Sequence, residues 1–175
     1  MKKIYIILSF TGTALSRVIK LTTRAEFAHV SIALDKDLNQ MYSFGRLNPY
    51  NPFVGGFVHE GIDFGTFKRF EKTTRTNIYA LEITDSQYYK LKRKIKFINK
   101  YKDKYRFNIM GLLFARFRLN LNRKNCYYCA EFVKGVLDAA EIENNLPKCI
   151  RPEDFKYLDN TSLLFEGMLR DYGKE

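Results

Sequence analysis

Cysteine is scarce in this chain and its number is odd: three, at Cys126, Cys129 and Cys149. A secreted scaffold held by disulfides carries an even and usually larger set. The thiols therefore fit a reducing compartment, and the expected location is cytoplasmic. Long apolar runs are also missing, since none approaches the roughly 20 residues that cross a bilayer. The opening Met1 to Phe10 has a basic start and an apolar stretch. That stretch is short and no small-x-small cleavage site follows, so it reads as a buried first strand and not as a signal peptide. No linker rich in glycine, serine or proline divides the chain, and no internal repeat is present. The 175 residues, 46% of them hydrophobic, are expected to form one domain, 1–175, around one core.

Convergent metal-ligand patterns are missing too. Cys126 and Cys129 form a C-x-x-C pair, but a thioredoxin-like site carries that pair after a first strand near the start of its domain, and here it lies late. A structural zinc needs about four ligands, and Cys149, His29 and His59 are too scattered to make a knuckle. No metal and no cofactor are expected, and Cys126 and Cys149 read as small core residues.

Acidic residues are outnumbered, with 19 Asp and Glu against 30 Lys and Arg, a net charge of +11. Between Lys90 and Lys124 stand thirteen Lys or Arg and one acid, Asp103. Such a stripe offers a face to anionic lipid, to nucleic acid or to another anionic polymer. The alternative is a solvated helix face. No recognised nucleic-acid motif accompanies the charge, which argues against nucleic acid as the partner.

The apolar pattern gives an order of elements. Ile4 to Phe10 reads as a strand, and Thr13 to Leu21 as a short helix with Leu15, Val18 and Ile19 inward. Phe27 to Leu34 and Gln40 to Phe44 read as a hairpin joined by Asp35 to Asn39. Arg46 to Gly56 holds two prolines and two glycines and reads as a loop, followed by an extended piece over Phe57 to Ile62. Thr76 to Ile83 is a further strand. Thr84 or Asp85 caps a helix to about Tyr101, with Tyr88, Leu91, Ile95 and Ile98 on one stripe. Ile109 to Phe117 is expected to be helical, and so is Cys129 to about Ala140. Pro152 opens a short helix, and Ser162 to Leu169 fits a last strand. The fold class expected is α+β, an antiparallel sheet with helices packed on one side.

Two motifs carry chemistry. Cys129 stands just inside a helix start, where the positive end of the helix dipole favours thiolate. His29 opens an apolar, β-branched strand. A thiolate nucleophile and an imidazole base are the minimum of a cysteine hydrolase, and a third polar group must hold the second ring nitrogen. Ser43, on the neighbouring strand of the hairpin, is preferred for that role. Glu60 is the better hydrogen-bond acceptor, but its position is less defined by the pattern. The backbone N–H of Cys129, with Tyr127 or Tyr128 as a side-chain donor, offers an oxyanion hole. Packing against the sheet is the favoured reading for both tyrosines.

His29-Val30-Ser31-Ile32-Ala33-Leu34, a hairpin, and then a late Tyr128-Cys129-Ala130-Glu131-Phe132-Val133 resemble the circularly permuted branch of the NlpC-type papain-like superfamily. Its YiiX-like members and the lecithin:retinol acyltransferase group share this order, in which the histidine strand precedes the cysteine helix. The resemblance spans about Ile4 to Asp159. It implies a papain-like fold, Cys129 as nucleophile and His29 as base, working through an acyl-enzyme on a small amide- or ester-containing substrate such as a bacterial cell-wall peptide. The branch often shows Cys-Ser-Glu-Leu-Val at the nucleophile, and Ala130 and Phe132 depart from it. The third polar residue of the family, usually His or Glu, falls on Ser43 here, a weaker orienting group, which leaves Glu60 as a substitute. Two other functions compete with an amidase. One is a lipid acyl hydrolase or acyltransferase seated on anionic headgroups through the Lys90–Lys124 stripe. The other is a non-enzymatic binding module whose basic face contacts nucleic acid or anionic polymer.

Overall fold

The computed structural model describes residues 1–13, 16–17, 25–48, 50–115 and 124–174. Eight strands and four helices follow in chain order: β1 Lys2–Phe10, β2 His29–Ala33, β3 Met41–Asn48, β4 Asn51–Glu60, α1 Gly65–Arg69, β5 Arg75–Ile83, α2 Asp85–Lys100, β6 Arg106–Phe107, α3 Ile109–Ala115, β7 Cys126–Tyr127, α4 Cys129–Ala139 and β8 Thr161–Met168. Six strands make one sheet in the order β4-β3-β2-β1-β5-β8, and every neighbouring pair is antiparallel. The architecture is α+β, as the pattern of elements predicts.

β1 is apolar on both faces because it lies inside the sheet, between β2 and β5. Ile4, Ile6 and Leu8 join one core with Val30 and Ile32, and α2 and α4 cover that face through Leu91, Ile95, Phe132, Val133 and Val136. Tyr5 and Ile7, at the alternate positions, join a second core with Met41, Ile78 and Ala80. That second face is covered by Phe67 of α1 and by Leu169 of the 3-10 turn Leu169–Asp171. The helices are therefore not confined to one side as expected; the two long ones are, and a five-residue helix lies on the other.

Local signals set most boundaries. Asp35 accepts from the backbone N–H of Asn39 and Gln40, at 3.2 and 2.8 Å, and this closes the β2–β3 turn. Thr84 caps α2: its hydroxyl accepts from the Gln87 N–H while the Gln87 side chain accepts from the Thr84 N–H. The helix read over Thr13 to Leu21 lies largely outside the described residues, as does the end of the one read over Ile109 to Phe117.

The segment read as a loop, Arg46 to Gly56, is mostly strand. β3 runs on to Asn48, and β4 starts at Asn51. Pro52 is tolerated because β4 is an edge strand. Gly55 is there for close packing, not for a turn: a Cβ at that position would lie 2.8 Å from Cγ of Phe107. β6 thus presses onto β4. A short parallel pair, β6 with β7, then ties Phe107 to the residues that lead into α4.

Candidate active site

His29 is the first residue of β2 and Cys129 the first residue of α4. Both line one small cleft, together with Gly45 and Glu60. The Cys129 side chain is held at the helix start by its neighbour. Tyr128 is extended, with its hydroxyl buried and donating to the Ile150 carbonyl at 2.6 Å and its N–H donating to Glu131 at 3.1 Å. The first-turn N–H groups, that of Cys129 among them, have no carbonyl partner within the helix.

The imidazole of His29 lies between two groups that favour its charged form. Nε2 is 3.0 Å from Oε1 of Glu60, which leaves Nδ1 for the thiol side. Ser31, two residues along the same strand, donates to the other oxygen of Glu60 at 2.5 Å and so fixes the carboxylate. Burial works against the charge on His29. The Glu60 carboxylate, then the charge on Cys129 and the hydrogen bonds the ring donates to Cys129 and Glu60, outweigh that cost and raise the imidazole pKa to about 10. His29 is thus an imidazolium at neutral pH.

The orienting group is Glu60, not Ser43. The hydroxyl of Ser43 is fully buried and donates to the Val30 carbonyl at 2.9 Å. Its register explains this: β2 and β3 pair Ile32 with Tyr42, so the next step sets Ser43 opposite Ser31. Glu60 follows from the β3–β4 hairpin, which pairs it with Met41. The carboxylate and the imidazole are both mostly buried, at 10% and 21% side-chain exposure. Ser31 is a supporting residue that the sequence reading missed; its position at His29 plus two, on the same strand face, is the signal that identifies it.

Tyr127 and Tyr128 serve the fold, in line with the packing reading favoured for both. The Tyr128 hydroxyl is used on Ile150, and Tyr127 packs its ring against Phe44 and Tyr105. Neither is among the cleft residues. Phe57 is buried against Phe44 and Phe132 and is not among the cleft residues. The apolar wall comes from Phe67, Phe107 and Leu112 instead, and Arg46 and Ser9 add polar groups. The cleft has an internal volume of about 60 Å³ and opens to solvent.

None of the three cysteines is in a disulfide. Cys126 and Cys149 are partly exposed rather than core, and only Cys129 is buried, at 2% exposure. Among the described residues no group of three or more His, Cys, Asp or Glu converges as a metal site. His59, on the solvent side, has its Nε2 against the Asn39 carbonyl at 2.7 Å. Much of the described part of the basic stripe lies on α2, where Arg93, Lys96 and Lys100 are exposed alongside Tyr89 and Phe97, and Lys102, Lys104, Arg106 and Lys124 follow beyond it. Arg116, Arg118 and Arg123 lie outside the described residues. Among the described residues no helix is long and apolar enough to cross a membrane.

No known protein-family profile matches the chain, and no curated protein matches it. Among solved structures it is similar to the crystal structure of metalloprotein yiiX from Escherichia coli O157:H7, with a TM-score of 0.55 at 12% identity over 94% of this chain and 97% of that one. At that identity the likeness is one of fold. The metal in that protein's name has no matching donor set among the described residues here.

Proposed function

We propose that this chain is a cysteine hydrolase of the permuted NlpC-type papain-like kind, acting on an amide. The observation that carries the reading is the meeting of Cys129, His29 and Glu60 at one cleft from three separate elements. The motif order, histidine strand before cysteine helix, and the fold likeness to yiiX agree with it.

In this reading the Cys129 sulfur attacks the carbonyl carbon and a C–S bond forms. The oxyanion meets the N–H groups of the first turn of α4. The His29 imidazolium gives its proton to the leaving nitrogen, the C–N bond breaks and a thioester remains. Water then attacks the thioester as His29 takes its proton. The C–S bond breaks, and the acid leaves with the thiolate restored. Glu60 never touches the substrate; it holds Nε2 and keeps the ring charged.

A thiol-directed probe at neutral pH tests the reading. Labelling is expected at Cys129 ahead of Cys126 and Cys149, and it is expected to disappear in His29→Ala. Slow, equal labelling of the three thiols would overturn it and leave a binding module.

A second role is supported by α2. Tyr89, Arg93, Lys96, Phe97 and Lys100 occupy the side opposite the buried Leu91, Ile95 and Ile98. Cations interleaved with exposed aromatic rings suit an anionic lipid surface, with the rings at the headgroup level.

A further inference from the structure

Arg46 is a cation at the wall of the Cys129 cleft, and no carboxylate pairs with it among the described residues. Its guanidinium is half-buried, and burial lowers its pKa. One of its five N–H groups is engaged, as Nη2 donates to the Thr13 hydroxyl at 2.8 Å. That hydroxyl is itself fixed, since it lies 3.2 Å from Ser16 Oγ and accepts from the Ser16 N–H. The tether aims the planar group without neutralising it. Its guanidinium also lies 5.9 Å from the centre of the Phe70 ring, a contact that favours a cation without neutralising it, so an anion that enters meets a half-desolvated positive charge.

A second, separate observation lies in the same wall. Ser9 is fully buried, and among the described residues its hydroxyl has no hydrogen-bond partner. Ser9 pairs directly with His29 across β1 and β2, so its side chain stands on the histidine side of the sheet. Orphaned buried hydroxyls are rare, and one that borders a cleft is explained when a ligand oxygen fills its valence.

We infer that Arg46 and Ser9 form an anion subsite in this cleft, and that the substrate carries a carboxylate or phosphate near its scissile carbonyl. The substrate half of this inference rests on the proposed nucleophile; the anion site does not. The cleft volume fits such a group. Arg46 here is a binding residue and takes no part in the bond-making steps.

Alkylation rates separate the two ideas. Iodoacetate carries the anion and iodoacetamide does not, and each peptide can be read by mass spectrometry. At Cys129 the iodoacetate-to-iodoacetamide rate ratio is expected to exceed that at Cys126. Arg46→Gln is expected to lower the Cys129 ratio about tenfold, which is about 1.4 kcal/mol. Lys3→Gln removes a like charge from the exposed end of β1 away from Ser9 and is expected to leave the ratio unchanged. Arg46→Lys retains part of it, and Ser9→Ala lowers it less. Protection of Cys129 from iodoacetamide by acetate or by inorganic phosphate, lost in Arg46→Gln, tells carboxylate from phosphate. An unchanged ratio in a folded Arg46→Gln protein, with no protection by either ion in the wild type, would overturn the subsite. If Cys129 proves no more reactive than its neighbours, the nucleophile reading fails. The subsite is then decided by the shift of the His29 ring resonances on adding acetate or phosphate to Cys129→Ala, against Cys129→Ala with Arg46→Gln. A shift that survives loss of Arg46 refutes the subsite.

Discussion

Gly45 stands against His29: a Cβ on residue 45 would come 3.3 Å from the imidazole Cε1 and 3.6 Å from the Glu60 oxygen that holds the ring. The glycine is what lets ring and carboxylate share this corner of the cleft. Gly45→Ala is expected to keep the fold but push the imidazole off its line to sulfur. Misplacement of this kind costs on the order of tenfold or more in rate. Reactivity of Cys129 toward iodoacetamide measures it, and an unchanged rate would refute the tight fit.

Glu60→Gln tests the orienting group. Removing the carboxylate charge is expected to bring the His29 pKa down from about 10. Ring titration by NMR reads this directly. Hydrolysis, once a substrate is found, is expected to fall on the order of a hundredfold. Ser43→Ala is expected to leave the titration where it is and to cost about 1 kcal/mol of stability, because only the bond to the Val30 carbonyl is lost.

Stability follows the same ionisation. The folded pKa of His29 is raised, so its stabilising contribution is complete below the ordinary value of 6.5 and is lost as pH rises through about 10. Thermal melts of wild type against His29→Ala are expected to show a gap that narrows across that window. A gap that widens with pH would contradict the assigned charge.

Tyr128→Phe distinguishes an oxyanion donor from a structural anchor. A donor would cost a hundredfold or more in turnover by the order of magnitude seen elsewhere. The bond to Ile150 predicts instead a loss of about 1 kcal/mol in stability with Cys129 reactivity retained.

Reversing Arg93, Lys96 and Lys100 to Glu is expected to abolish sedimentation with vesicles containing phosphatidylserine, while neutral vesicles bind neither protein. Salt should weaken the wild-type association in parallel. Retention of DNA by the wild type in place of vesicles would assign the face to nucleic acid.

Much of this molecule is legible in its sequence, for definite reasons. β1, β2, β5, α2 and α4 each carry a periodic apolar signal, since each buries a face against the sheet. Cys129 and His29 were found because their neighbours carry a motif. Glu60 ranks second because the pattern reads Phe57 to Ile62 as extended but gives that piece no partner strand. Prolines and glycines between Arg46 and Gly56 look like a loop when read along the chain. In space Pro52 belongs to an edge strand, and Gly55 makes room for Phe107. Arg46 was hidden with them, as the first residue of that supposed loop. The β6–β7 pair, two residues a side, is too short to leave any periodic trace.

His29 and Glu60 both come from the contiguous run β2–β3–β4, while Cys129 comes only with α4. A chain emerging from the ribosome therefore exposes the base and its anchor well before any nucleophile has been made. On the proposed reading, the nascent polypeptide until then holds an imidazole and its carboxylate with no thiolate beside them.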